Sequence, residues 1–191
     1  GTFTEMRSNL GDGPKPWLFA QLLWDPHQDV DVLWQKWYEK AVCTEAAPYL
    51  KSYYELWEEI WTERIKGFPW FEENKQNTYL PFTVDPSYIK LVTDEDLATS
   101  RNLIATVVDK AQTERQKQRA DQLQLMFEYY EATVISYPSD AEVETPTNQE
   151  EAIALLDEIK LSLHMAQKLH DLIEQIEDEP ALKFFNLRMF D

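Results

Sequence analysis

Glycine is scarce in this chain, with four among 191 residues, and two of those are Gly11 and Gly13. With so few, and with no regular Val, Ile and Thr alternation, a sheet-rich fold would lack both its turns and its strands. The single cysteine, Cys43, excludes an internal disulfide framework and every multi-cysteine metal site, while leaving the redox compartment open. Histidine is also rare. His164 and His170 are too far apart on one predicted helix for the i, i+4 spacing that lets two ligands meet one zinc ion, and His27 has no partner in sequence. No metal or other cofactor is expected. Basic charge is in short supply too: 18 Lys and Arg stand against 35 Asp and Glu, for a net charge of −17. Such a chain repels a phosphate backbone and an anionic membrane surface, so nucleic acid and membrane are not expected as partners. No apolar run approaches the ~20 residues that span a bilayer.

What the chain does have is aromatic residues, and they are unevenly placed. All seven tryptophans lie between Trp17 and Trp70. Residues 1–16 read as a loop, with a turn at Gly11-Asp12-Gly13-Pro14 that lacks the lysine and following helix of a phosphate loop. Trp17, Leu18, Phe19, Leu22, Leu23 and Trp24 follow as a short segment apolar on nearly every side, which must be covered by this chain or by something else. Asp25-Pro26 signals a helix start, and Val30, Leu33, Trp34, Trp37, Tyr38 and Ala41 then share one helical face. A second helix opens near Glu45, with Pro48 in its first turn. It carries Leu50, Tyr53, Tyr54, Trp57, Trp61 and Ile65 on one face, and Gly67 with Pro69 ends it. Residues 17–67 therefore predict an aromatic-lined helical hairpin, with Trp57 packed against Trp34 or Trp37.

Residues 68–92, with Pro69, Pro81 and Pro86, read as an irregular surface linker. Residues 93–191 predict an antiparallel three-helix bundle. Its first helix opens at a Thr93-Asp94-Glu95-Asp96 capping box and carries Leu97, Ile104, Val108 and Ala111. The polar stretch Glu114 to Arg119 is either a tight turn or part of one continuous helix. Beyond it Leu123, Phe127, Tyr130, Val134 and Tyr137 continue to Pro138. After an acidic loop, Thr147-x-x-Glu150 opens a long helix whose face is Ile153, Leu156, Leu163, Ala166, His170, Ile173 and Ile176. His170 is placed on that packing face and His164 on the surface. Asp178-Glu179-Pro180 breaks the helix before a short terminal one carrying Phe184 and Phe185. The fold class is all-α, one domain over 1–191, with no repeat of solenoid length.

No motif for catalysis stands out. Carboxylate pairs such as Glu58 and Glu59 are too common in so acidic a chain to be informative, and the simplest place for that pair is the wet side of its helix. Cys43 lacks a sequence-evident histidine base and reads as a small buried residue. No catalytic, cofactor-binding or metal-ligating residue is assigned.

A resemblance supplies more. The segments Gly11-Asp12-Gly13-Pro14-Lys15-Pro16-Trp17, Leu22-Leu23-Trp24-Asp25-Pro26 with Asp29-Val30-Asp31, and Ala46-Ala47-Pro48-Tyr49-Leu50 with Tyr53-Tyr54 resemble the C-terminal part of large bacterial glycoside-hydrolase-like proteins carrying the domain of unknown function 4838. Asp85-Pro86-Ser87-Tyr88 and the stretch from Arg119 to Tyr130 fit more loosely, and Cys43 stands where the family pattern carries glycine. The resemblance implies a helical domain that follows a (β/α)8-type catalytic barrel in proteins similar to hexosaminidases and α-glucuronidases. The catalytic acids would then lie upstream. Gly1 in place of an initiator Met likewise suggests a piece of a longer chain, whose parent the resemblance would place outside the cell or in the periplasm.

The leading expectation is a non-catalytic accessory domain that buttresses the barrel, with Asn9, Asp12, Lys15, Trp17 and Trp24 as barrel-docking or substrate-cleft contacts. A carbohydrate-binding module using exposed aromatics and a helical protein-interaction domain are the competing readings. They differ in where the apolar surface is exposed.

Overall fold

Helices account for all the regular structure in the computed structural model, which describes residues 13–82, 84–137 and 145–178; no strand occurs among them. The α-helices are α1 (Lys15–Trp24), α2 (Val30–Ala41), α3 (Ala47–Thr62), α4 (Pro69–Asn74), α5 (Asp94–Lys110), α6 (Glu114–Ser136) and α7 (Gln149–Asp178). Two 3-10 turns, Arg64–Gly67 and Pro86–Leu91, complete the set. The fold is all-α.

Several helix starts differ from the sequence reading, each for a local reason. α1 opens at Lys15, two residues before Trp17, because Pro14 and Pro16 suit a first turn in which amides have no partner. α2 starts after Asp29, whose Oδ1 accepts from the amides of Asp31 and Val32 at 2.9 and 3.2 Å. Asp25 instead ends α1 and caps a turn by accepting from the His27 amide at 3.0 Å. The break between α5 and α6 falls at 111–113, ahead of the Glu114 to Arg119 stretch, which lies within α6. Thr113 and Gln116 form a reciprocal capping box there. α7 shows the same kind of shift: the Glu151 amide donates to Asn148 Oδ1, while the Glu151 carboxylate accepts from the amide and hydroxyl of Thr147.

Residues 68–92 are more than a surface linker. Pro69 and Pro86 each open a helical turn rather than ending one. Trp70 is buried, donates its indole N–H to the Asp85 carbonyl at 2.9 Å, and packs on Phe82 and Tyr88. This small aromatic cluster ties the segment to α3, since Tyr88 meets Trp61 edge to face.

The main core lies where α2, α3, α5 and α6 meet, built from Tyr38, Leu50, Tyr53, Tyr54, Ile104, Val107 and Phe127 among others. α3 and α5 run antiparallel. The Cys43 thiol, just ahead of α3, is 3.4 Å from the Lys110 carbonyl at the end of α5. Arg64, just beyond α3, pairs with Asp96 in the first turn of α5 at 2.8 Å. The corner between α2 and α3 is packed with Val42, Cys43, Ala46 and Ala47, all buried, and none takes a positive φ, so nothing there requires glycine and cysteine fits. Arg119 reaches back from α6 to the carbonyls of Lys40 and Ala41, placing a cation at the end of α2, where the helix dipole favours it. Buried Glu131 of α6 is paired with Arg101 of α5.

α7 packs antiparallel on α6 through Met165, Leu169, Leu172 and Ile176. Ser162 bonds to the Ser136 carbonyl near one end of the pair, and Lys168 meets Glu128 further along. This seam is rotated from the predicted one, so Leu163, Ala166 and His170 face solvent. The long helix has two apolar stripes, and α6 covers one of them. The predicted terminal helix with Phe184 and Phe185 lies outside the described residues.

Asp96 offers a test of the α3 to α5 tie. Burial works against its charge, yet the Arg64 guanidinium and the amide and hydroxyl of Thr93 outweigh that and hold its carboxyl below the ordinary value. Its folded-state pKa is therefore lower than its unfolded one of about 3.9, so its contribution is complete above that pH and is lost as pH falls through the folded value. Asp96→Asn is expected to cost about 2 kcal/mol at neutral pH. In denaturant melts the gap between the two proteins should narrow as pH drops below about 4; a gap that stays constant into strong acid contradicts this assignment.

Candidate functional site

The tyrosines and tryptophans of α2 and α3 share one helical period but not one environment. Tyr38, Tyr53 and Tyr54 are buried, whereas Trp34, Trp37, Trp57 and Trp61 are each only partly covered. The tyrosines form the core, and three of the tryptophans stand at the edge of a cleft of about 600 Å³ between α2, α3 and the start of α1. Trp57 does not stack on Trp34 or Trp37. Its ring meets Tyr53, Trp61 and Tyr130 instead, because the α2 tryptophans pack on Tyr38 and Tyr54.

The cleft is built from three pieces. α3 supplies Trp57 and Trp61, stacked with centroids 6.4 Å apart and planes 26° apart, over a floor that includes Tyr54. α2 supplies Trp34 stacked on Tyr38 at 6.0 Å and 22°. The third wall is the Gly13-Pro14-Lys15 corner. Gly13 has φ +56°, and a Cβ there would lie 2.7 Å from Tyr54 Cε1, so only glycine lets the chain turn down so close to that ring. Pro14 is buried, and Lys15 crosses to Glu58 at 2.5 Å.

The rim is polar in both senses. Asp31, Glu55 and Glu58 bring carboxylates, Lys15 and Lys51 bring ammonium groups, and Gln35 brings an amide. Lys51 lies 3.6 Å from Glu55, so two of the three acids have a cation at hand, and Asp31 has none among the described residues. On the floor, burial, reinforced by the negative charges of Glu55 and Glu58, pushes the Tyr38 hydroxyl far above its ordinary value. Tyr38 therefore stays protonated, suited to hydrogen bonding and not to acting as a base.

The residues singled out from sequence separate on the structure. Lys15 lies in the cleft wall. Trp17 lines a shallower hollow of about 360 Å³ with Lys36, Trp37, Lys40, Ala41 and Arg119. Trp24 is 91% exposed at the end of α1 and touches neither hollow. Asn9 and Asp12 lie outside the described residues. Sequence reasoning placed Glu58 on the wet face of α3 and missed that this face is the cleft rim. The available signal was the run Lys51, Glu55, Glu58 and Thr62, which follows helical spacing next to the aromatic face. His164 and His170 are both exposed on α7, so His170 is not a packing residue. Among the described residues no group of three or more His, Cys, Asp or Glu is placed to hold a metal ion, and no helix is long and apolar enough to cross a membrane.

α1 contributes a second surface. None of its ten residues is buried, and Phe19 and Leu23 as well as Trp24 are exposed.

Residues 4–55 match the family profile of the Domain of unknown function (DUF4838). The match takes in α1, α2 and the first half of α3, and with them the Gly13 corner, Trp34, Tyr38 and Tyr54; α4 to α7 lie beyond it. No curated protein and no solved structure matches the chain.

The division between core and cleft makes a direct prediction. Phe127 is fully buried, so Phe127→Ala should cost about 3–5 kcal/mol. Trp57→Ala should cost less, about 1–3 kcal/mol, because part of its ring faces the cleft and its buried indole N–H has no acceptor among the described residues. Denaturant melts that rank the two the other way would place Trp57 in the core.

Proposed function

We propose that this chain is a non-catalytic helical accessory domain of a larger carbohydrate-active protein, and that α1 is the face through which it buttresses an upstream catalytic barrel. The observation that carries the reading is α1 itself. A ten-residue helix with no buried residue and with Phe19, Leu23 and Trp24 in solvent has the composition of a helix meant to be covered. It also lies within the stretch that matches DUF4838, next to the point where the resemblance places the barrel.

A protein-interaction reading would draw on a different surface, the outer stripe of α7, where Ile153, Leu156 and Leu163 are exposed. The α1 face is the better support for a docking role, because its apolar residues are larger.

Hydrogen exchange on this chain alone and on a parent polypeptide extended upstream tests the proposal. The α1 amides are expected to slow by about tenfold or more in the longer protein. Leu23→Ser and Trp24→Ser should remove that protection while changing the stability of the isolated chain by no more than about 0.5 kcal/mol. Equal α1 exchange in the two proteins contradicts docking.

A further inference from the structure

We infer that the cleft between α2, α3 and the Gly13 corner is a saccharide-binding site. Three properties of the cleft select that ligand class. First, its walls carry the partly exposed indole rings of Trp34, Trp57 and Trp61. Trp57 and Trp61 of α3 are 26° from parallel, and Trp34 of α2, backed by buried Tyr38, lines the α2 wall. Such faces suit the C–H surface of a pyranose ring, whereas a cage for a quaternary ammonium group surrounds the cation with rings.

Second, the rim charge is nearly balanced. Lys15 and Lys51 stand against Glu58 and Glu55, leaving Asp31 as the one carboxylate without a cation among the described residues. A strongly cationic ligand would have to displace two ammonium groups, and a strongly anionic one would meet three acids. A neutral polyhydroxylated ligand meets neither obstacle, and it uses acceptors and donors together: carboxylates and the Gln35 amide on one hand, ammonium groups on the other. Third, the cleft is open and of about 600 Å³, within the range of roughly 300–1,000 Å³ typical of small-ligand sites. The Lys15 to Glu58 pair spans from α1 to α3 with both side chains about half exposed, so it can yield to sugar hydroxyls at little cost.

This site stands apart from the docking proposal, since the cleft residues and the exposed end of α1 are different groups. Failure of α1 protection in the longer chain leaves the cleft untouched, and an empty cleft leaves docking untouched.

The test uses the full 191-residue chain on a glycan array spanning neutral, acidic and amino-sugar oligosaccharides, with calorimetry and tryptophan fluorescence on the array's strongest oligosaccharide and on tetramethylammonium chloride. The expected result is binding of at least one neutral oligosaccharide with a change in tryptophan emission. Trp61→Ala should weaken it by roughly tenfold or more. Asp31→Asn and Gln35→Ala, which alter exposed side chains and leave the core alone, should weaken it by about threefold or more. Tyr79→Ala, far out in solvent, is the unchanged control. The site assignment is overturned if no glycan on the array binds, if binding survives all three cleft substitutions, or if tetramethylammonium binds more tightly than every oligosaccharide.

Discussion

α3 carries an apolar arc of about half its circumference, from Leu56 and Ile60 through Tyr53, Trp57 and Leu50 to Tyr54 and Ala47, at 100° per residue. One neighbouring helix cannot cover an arc that wide. α5 and α6 take the side with Leu50, Tyr53 and Ile60, and the Tyr53 ring meets Phe127 edge to face. α2 takes the side with Tyr54. Trp57 and Trp61, further along the same helix, stay only partly covered and line the cleft. The Pro86–Leu91 turn brings Tyr88, backed by Trp70 of α4, against Trp61 from one end, and the N-terminal corner walls the cleft as well.

That corner explains why residues so near the start of the described chain matter to a cleft made mostly by α2 and α3. Gly13 alone among the described residues takes a positive φ, and the close approach to Tyr54 depends on it. Pro14 is then buried against the floor and Lys15 is delivered to Glu58. The same turn launches α1 outward, with its apolar face uncovered. Cleft and docking face thus share one hinge residue while using different side chains, and both fall largely within the DUF4838 match.

Fold class was legible because every long segment follows the 3.6-residue period and few glycines interrupt it. Thr93 and Asp96 announced α5 correctly, since a capping box is a local interaction written in four residues. Thr113 and Gln116 carry the same signal, but the charged run from Glu114 to Arg119 looks equally like a turn on sequence alone. Pro69 and Pro86 mark breaks on sequence alone, although proline starts a helix as readily as it stops one, and the choice depends on Trp70 and Ile89 finding buried places. The seam of α7 could not be read because two apolar stripes were available and only α6 could choose between them. For the same reason the separation of buried tyrosines from half-covered tryptophans was hidden. Period places both on one face, and tertiary neighbours alone decide which part of that face stays wet.

α3 thus has one aromatic side in the core and another, half-covered, at the cleft. Fluorine NMR of the 5-fluorotryptophan-labelled chain, comparing resonance positions in H2O and D2O with each signal assigned by single Trp→Phe replacement, reads that exposure ring by ring. A large solvent isotope shift is expected for Trp24, intermediate shifts for Trp34, Trp57 and Trp61, and almost none for buried Trp70. Shifts at Trp34, Trp57 and Trp61 as small as that of Trp70 would mean the cleft is filled by the protein itself, and would contradict a wet aromatic side on α3.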